Sequence, residues 1–447
     1  MSNPFVIITL GPTGAGKSRL VEKTIEDCGL AERVSKCETF PVFRVDDLVT
    51  QRDDYKSAVQ GLQNLPTLPT ISTPRGYDVI DLSEEDVKRY EKDVETYTEA
   101  YKKALGIIGK AYNTSRKNPR CYSPTDTAIL TPNHTADDDK FYKIRKRVLE
   151  NKITKTNEDI ITLKAKQETE AIRKEEDELE KLTNKLEILT QKYHDKRTTP
   201  ESDLPETDLP ESDLSNYNCN DINDFKILRA ISKGISFSFE ITGQTYPKHY
   251  LSWFKTAADL YPELNYDIYI SGVFVPSFRD LLTRNLSRYQ QELKNFNRDK
   301  TLPAPRLPEL SDIMHKNILT IINNIKLMHT RMTGKNEENI TRLLLYSNIR
   351  KLELKFDSQN MTDLDGALDQ VYNTTTQIVQ QVAKTIGLKE ISPKPMLLGM
   401  PISTTATTKG GRRRTSKTYK QRRRTQNKRN NKRNYNTKKT RNKRRKW

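Results

Sequence analysis

The chain has little cysteine, histidine or tryptophan: four, five and two residues in 447. Cys28, Cys37, Cys121 and Cys219 stand far apart, no two at CxxC spacing, and no histidine joins them in a zinc-ligand pattern. This excludes a zinc finger and a disulfide-dense secreted scaffold, and free thiols in a reducing compartment are expected. Long apolar runs are missing as well. None approaches the roughly 20 residues that a membrane helix needs, and no secretory leader precedes the first apolar strand. The expected setting is intracellular, not secreted and without a membrane partner. No Ser-His-Asp or Cys-His arrangement is suggested, and His249 and His315 read as surface or helix residues rather than ligands.

Apolar residues are themselves scarce, at 34% against 30% charged, with a mean hydropathy of −0.81. Such a chain packs less mass than its length allows, and one α/β core with helical, linker and tail material fits best. Acidic residues are absent from 411–447, a stretch that holds 19 Lys and Arg. That exceeds the whole formal net charge of +18, so the rest of the chain is near neutral and the basicity belongs to the tail.

What is present begins at once. "PFVIITL" reads as a short buried strand, and "GPTGAGKS" (Gly11, Pro12, Thr13, Gly14, Ala15, Gly16, Lys17, Ser18) follows it. Glycines at this spacing let backbone N–H groups turn toward phosphates, Lys17 reaches the β/γ oxygens, and Ser18 is placed to hold Mg²⁺. "SRLVEKTIEDCGL" carries helical spacing, and the helix adds its positive dipole end to the cradle. The cofactors expected are Mg²⁺ and ATP or GTP.

The strand–helix alternation continues in two blocks. "FPVFRVDDL" reads as a second strand ending in Asp46-Asp47, followed by a helix in "RDDYKSAVQGL". "ISFSFEITG", "YDIYISGVFVP" and the end of "NEENITRLLLYSN" are further strands separated by helices, the last strand closing the core. The fold class is α/β, a P-loop NTPase/kinase-type doubly wound parallel sheet. The expected division is a first core part at 1–60, a mainly helical insertion at 61–222, and a second core part with a lid at 223–360. A helical and linker segment at 361–408 and a disordered basic tail at 409–447 follow. Within the insertion, Ile172, Leu179 and Leu186 are seven apart with Leu182 and Leu189 in the alternate register, a seam that suits a helical hairpin or a short, self-associating coiled coil. "PESDLPETDLPESDLS" at 200–215 makes up an acidic, proline-rich linker at 199–215.

Strand ends of an open parallel sheet face the ligand crevice. Asp46 and Asp47 there can take a proton from a substrate hydroxyl, bind Mg²⁺ through water, or cap a helix. Arg52 is near enough to hold an anionic substrate, or is a surface arginine. Glu240 and Thr242 close the third strand on the same rim; Glu240 can bind substrate, reach magnesium through water, or simply pair with a cation. Arg284 and Arg288, four apart after the fourth strand, share one helix face and can neutralise charge over a transferring phosphoryl group, or form a solvated basic face.

The order "GPTGAGKS", "RVDDL" with "RDDY", "GISFSFEITG", "YDIYISGVFVP" leading into "LLTRNLSR", then "LLLYSN" resembles the zeta-toxin-like P-loop kinases, over roughly 5–60 and 223–350. The resemblance implies phosphoryl transfer to a hydroxyl of a small-molecule or nucleotide-like acceptor. It implies that Asp46, with Asp47 as the near alternative, is the catalytic aspartate, and that Arg52, Glu240 and Thr242 bind substrate. By the same resemblance Arg284 and Arg288 are lid arginines, and Tyr346 and Asn348 border the nucleotide base. The family's D-x-D spacing is absent, because the two aspartates are adjacent, and the insertion falls where the substrate site is built. Together with a "GGRRR…KRRK" tail, the chain resembles the members found in large DNA viruses, which implies a host cytoplasm, nucleus or virion. The competing reading is a nucleic-acid-associated P-loop protein without kinase turnover. On either reading the 411–447 tail is expected to bind phosphate backbones without reading bases.

Overall fold

The computed structural model describes residues 3–60, 84–118, 136–198, 217–275, 278–308, 315–333, 340–348 and 351–368. The expected acidic linker, the basic tail and most of the 361–408 segment lie outside them.

Strand β1 (Phe5–Leu10) is buried at every position, as a central strand covered on both faces must be. Its alternating side chains serve two different cores. Val6, Ile8 and Leu10 join the large cluster, while Phe5 and Ile7 pack with Val21, Leu30 and Tyr269. β2 (Val42–Phe43), β3 (Phe237–Ile241), β4 (Asp267–Phe274), β5 (Ile340–Asn348) and β6 (Leu352–Asp357) complete one sheet in the order β2-β3-β1-β4-β5-β6. The first five strands run parallel; β6 is antiparallel to β5. From β1 the chain goes to one side of the sheet for β2 and β3, then to the other for β4 and β5. The carboxyl end of β1 is therefore the switch point at which such sheets bind ligands. This is the mixed α/β, P-loop kinase-like fold expected.

Two expectations are corrected here. The second strand does not run to the aspartates: it stops at Phe43, Arg44 is still extended, and helix α3 (Val45–Gln51) holds Asp46 and Asp47 in its first turn. Acidic residues favour a helix N-terminus because of its dipole, and this competes successfully with the β-branched Val45. β5 is also not the last strand. In "LELKFD" only Phe356 and Asp357 are buried, and Arg342 of β5 forks onto that Asp357 at 2.9 and 2.6 Å, clipping β6 to the edge.

The inserted helices α5 (Glu84–Lys117), α6 (Ala136–Ala165) and α7 (Thr169–Thr198) behave in two ways. α6 and α7 fold back on one another across a tight turn in which Gln167 takes a positive φ of 59°. The heptad seam is the inner face of this hairpin, with Leu182 only 3% exposed, and Lys152–Glu178 and Lys164–Glu176 pair across it. α5 also enters the core, where Tyr101 and Ile108 are fully buried alongside residues of the sheet, and the first turns of α6 join it through Phe141 and Ile144. Helix α8 (Cys219–Ser232) is started by a full capping box between Asn218 and Asp221. The helices α1 (Lys17–Asp27), α2 (Ala31–Ser35), α4 (Asp53–Gln60), α9 (Lys248–Leu260), α10 (Phe278–Arg298) and α11 (His315–Thr333) pack around this sheet.

The thiol expectation holds in part. Cys28 and Cys37 are free, whereas Cys219 is disulfide-bonded, to a partner outside the described residues. No described helix is long and apolar enough to cross a membrane.

Candidate active site

The cradle is held by its neighbours as much as by its own sequence. Gly16 takes φ 101°, a left-handed conformation that disfavours any side chain, and a Cβ there would meet Asn348 Nδ2 at 2.6 Å. That amide donates to the carbonyl of Ala15 at 2.7 Å, and the fully buried Asn285 of α10 donates to the carbonyl of Thr13 at 3.0 Å. Two asparagines from separate elements thus fix the loop. Lys17, the first residue of α1, sends Nζ back to the carbonyls of Gly11 at 3.0 Å and Pro12 at 3.4 Å. Burial pushes its pKa down, with Glu240 opposing and Arg306 adding to the fall.

Around the cradle lies a cleft of about 780 Å³, whose charged lining comprises Lys17, Arg19, Arg44, Asp46, Asp47, Glu240, Arg284, Arg288, Glu292 and Arg306. Ser18 and Asn348 line it too. Ser18 Oγ donates to Glu240 Oε1 at 3.4 Å, and Arg44 Nε donates to the same oxygen at 2.7 Å. β3 pairs Glu240 with Thr9 of β1, which is why a strand-end carboxylate stands beside the first turn of α1. The described residues contain no group of three or more His, Cys, Asp or Glu side chains able to hold a metal. Magnesium does not require one, since beside a nucleotide it keeps waters and phosphate oxygens and takes one or two protein oxygens. The Ser18 hydroxyl and the Glu240 carboxylate are two hard oxygens side by side in this cleft.

Asp46 is the best-supported carboxylate. Tyr112 of α5 donates its hydroxyl to Asp46 Oδ1, and Arg306 forms a short ion pair with the same oxygen. Burial pushes the carboxyl upward, but Arg306, the Tyr112 hydrogen bond and Lys17 together hold it below the ordinary range. Both contacts fall on Oδ1, and among the described residues no side chain donates a hydrogen bond to Oδ2. Asp47 is half-exposed; burial raises its pKa, and its Arg44 partner is 3.8 Å away. Arg306 is fixed through its backbone: the Tyr55 hydroxyl donates to the Pro305 carbonyl and the Tyr101 hydroxyl to the Pro308 carbonyl, each at 2.7 Å. The Ala304 N–H also donates to the Thr50 carbonyl at 2.8 Å.

Of the lid arginines, Arg284 donates to the Asn348 carbonyl at 2.9 Å, and Arg288 faces Glu292 at 3.5 Å. Burial lowers the pKa of both, with Arg306 adding to the fall at Arg288, yet a guanidinium stays charged. Three expected residues are not gathered into this cleft. Arg52 forks onto Asp54 at 2.8 and 2.9 Å and lines neither cavity described here. Tyr346 is buried and donates to Asp27 at 2.9 Å. Thr242 lines a second cavity, of about 440 Å³, which shares Thr13, Lys17, Arg44, Asp46, Glu240 and Arg306 with the first. Sequence reasoning missed Arg306, Arg44, Tyr112 and Asn285. Arg306 had a signal in the proline-braced "PAPRLP", and Arg44 in its place two residues before Asp46; Tyr112 and Asn285 had none.

Fold and cradle together define a P-loop α/β protein of the kinase-like kind. No protein-family model matches the chain, and no curated protein matches it. It is similar to a solved structure from the PezAT chromosomal toxin-antitoxin system of the human pathogen Streptococcus pneumoniae, at 10% identity and a TM-score of 0.32, covering 86% of this chain and 87% of that one. A likeness this distant does not transfer function.

Proposed function

We propose that the protein is a zeta-toxin-like kinase, moving the terminal phosphoryl group of ATP or GTP to a hydroxyl of a small-molecule acceptor. The observation that carries this reading is that Lys17 and Asp46 line both cavities, so one wall serves a phosphate donor on one side and an acceptor on the other.

The chemistry follows from that wall. The acceptor oxygen attacks the γ-phosphorus, the bond to the β,γ-bridging oxygen breaks, and the nucleoside diphosphate leaves with that electron pair. Asp46 orients the hydroxyl through Oδ2 and takes its proton late, when the oxygen has become acidic, so a lowered pKa is no handicap. Lys17, Arg288 and Arg284 offset charge on the transferring group within a partly desolvated cleft. Ser18 and Glu240 would hold a magnesium ion, which would supply neutralisation of the phosphate oxygens.

The test is transfer of γ-labelled ATP or GTP into a pooled metabolite extract. Wild type is expected to label a product and Lys17→Ala to label none. Asp46→Asn is expected to bind nucleotide but not turn over. Labelling unchanged by Lys17→Ala would overturn the proposal.

A further inference from the structure

The second cavity has a wall that the zeta-like core does not supply. Tyr112 and Arg116 come from the inserted α5, and Asn220 and Asn223 from α8, where the chain re-enters the core. Two features of this wall point to a ligand. Arg116 is half-buried, and its Nε and Nη2 donate to Asn220 Oδ1 at 3.1 and 3.0 Å; no carboxylate among the described residues pairs with it. A cation placed in a cavity without a counter-charge is costly until an anion arrives. Asn223 is 3% exposed, lines the cavity, and its amide makes no hydrogen bond with any described residue. Its polar atoms are not sealed from solvent, so the amide is open to a partner in the cavity. Of the cavity's other cations, Arg44 is matched by Glu240 and Arg306 by Asp46, while Lys17 is turned back onto the carbonyls of Gly11 and Pro12.

We infer that this cavity binds the acceptor by an anionic group, a carboxylate or a phosphate, held on Arg116, with the Asn223 amide bonding a polar group beside it and the transferable hydroxyl at Asp46. Naming the ligand an acceptor rests on the kinase reading; the anion site does not. Arg116 sits at the end of an inserted helix, so the insertion selects what is phosphorylated, and a neutral analogue of the same shape is rejected because it leaves the guanidinium uncompensated.

Trp253 provides a probe. It packs against Tyr250 and His249, with ring centroids 5.1 and 5.6 Å away, and both of those residues line the cavity. The chain's other tryptophan is Trp447, so a full-length Trp447→Phe chain reports from Trp253 alone. Its emission is followed while glycerol 3-phosphate, glycerate or glycerol is added at millimolar concentration. At least one of the two anions is expected to change the emission while glycerol does not, and which anion does so separates phosphate from carboxylate. Arg116→Gln is expected to weaken that binding by about tenfold or more, in keeping with loss of a charge-assisted contact. Arg116→Lys retains most of it, which separates loss of charge from misfolding, and Asn223→Ala weakens it less. Glycerol binding as well as the anions, silence with all three probes, or indifference to Arg116→Gln would each overturn the inference. Anion binding at Arg116 without Lys17-dependent transfer would remove the kinase reading and keep the anion site; transfer indifferent to Arg116 would do the reverse.

Discussion

The two cavities that meet at Asp46 are built on different plans. On the proposed kinase reading the donor side is mostly contiguous sequence: eight residues make the cradle, and β1 and α1 on either side of it set its direction. The acceptor side is assembled from residues between Thr13 and Pro308, drawn from the first core block, the insertion and the second core block. A donor site must hold the same triphosphate in every such protein, so local backbone suffices. An acceptor site must choose among many molecules, and choice calls for walls that can be exchanged.

The largest expected effect on this contrast is at the donor side. Lys17→Ala should reduce transfer by about two to three orders of magnitude, the usual scale for removing a preorganised charge contact, whatever the acceptor. Fluorescent-nucleotide binding and labelled-product formation should fall together. Asp46→Asn should lower kcat by about 10²-fold or more and leave nucleotide affinity unchanged, because its role is on the acceptor side. A parallel loss of nucleotide binding would erase the distinction between the two halves.

A pH profile sharpens the comparison further. Asp46 is held below its ordinary pKa, so it stays ionised through neutral pH and loses charge only as pH falls through that lowered value. Removing a group that stabilises the carboxylate lets the value rise. The acid limb of kcat/KM should therefore move to higher pH in Arg306→Gln and, by less, in Tyr112→Phe, with the alkaline limb unmoved. An acid limb that stays in place in both variants would remove Asp46 from the titration. Smaller still is Gly16→Ala, which should weaken nucleotide binding by displacing Asn348 and leave Trp253 emission with anions unchanged. Truncation at Gly410 should leave transfer unchanged and remove only salt-sensitive binding to nucleic acid, as expected if the tail acts through charge alone. Nucleic-acid binding that survives the truncation would show that charge elsewhere carries it.

The same contrast explains what could be read in advance. The cradle, the strands around it and the heptad seam are legible because each depends on neighbours within a few residues: a glycine spacing, an apolar run, a seven-residue repeat. Asp46 was legible as a residue but not as a geometry, since the pull of acidic side chains toward a helix N-terminus shortened the strand. Arg52 was misplaced because Asp54, two residues on, fits its guanidinium fork. Arg306 and Tyr112 lie 260 and 66 positions from Asp46, and no periodicity ties such distant positions together. β6 is buried only at its last two residues, Phe356 and Asp357, and its short length and charged residues hid it at the edge of the sheet.

Tyr55 belongs to the first core block and Tyr101 to the insertion, and their hydroxyls hold the two ends of the short strap that carries Arg306. The inserted segment is therefore part of the ground on which the catalytic charge is set. Residues 61–222 cannot be treated as a detachable accessory: a change that loosens α5 slackens the strap, and the carboxylate is felt to be unbalanced far from the change itself. Such a segment is tethered at the Tyr101 phenol and, in α6, at the buried Phe141 and Ile144, so its sequence is constrained wherever it meets the core.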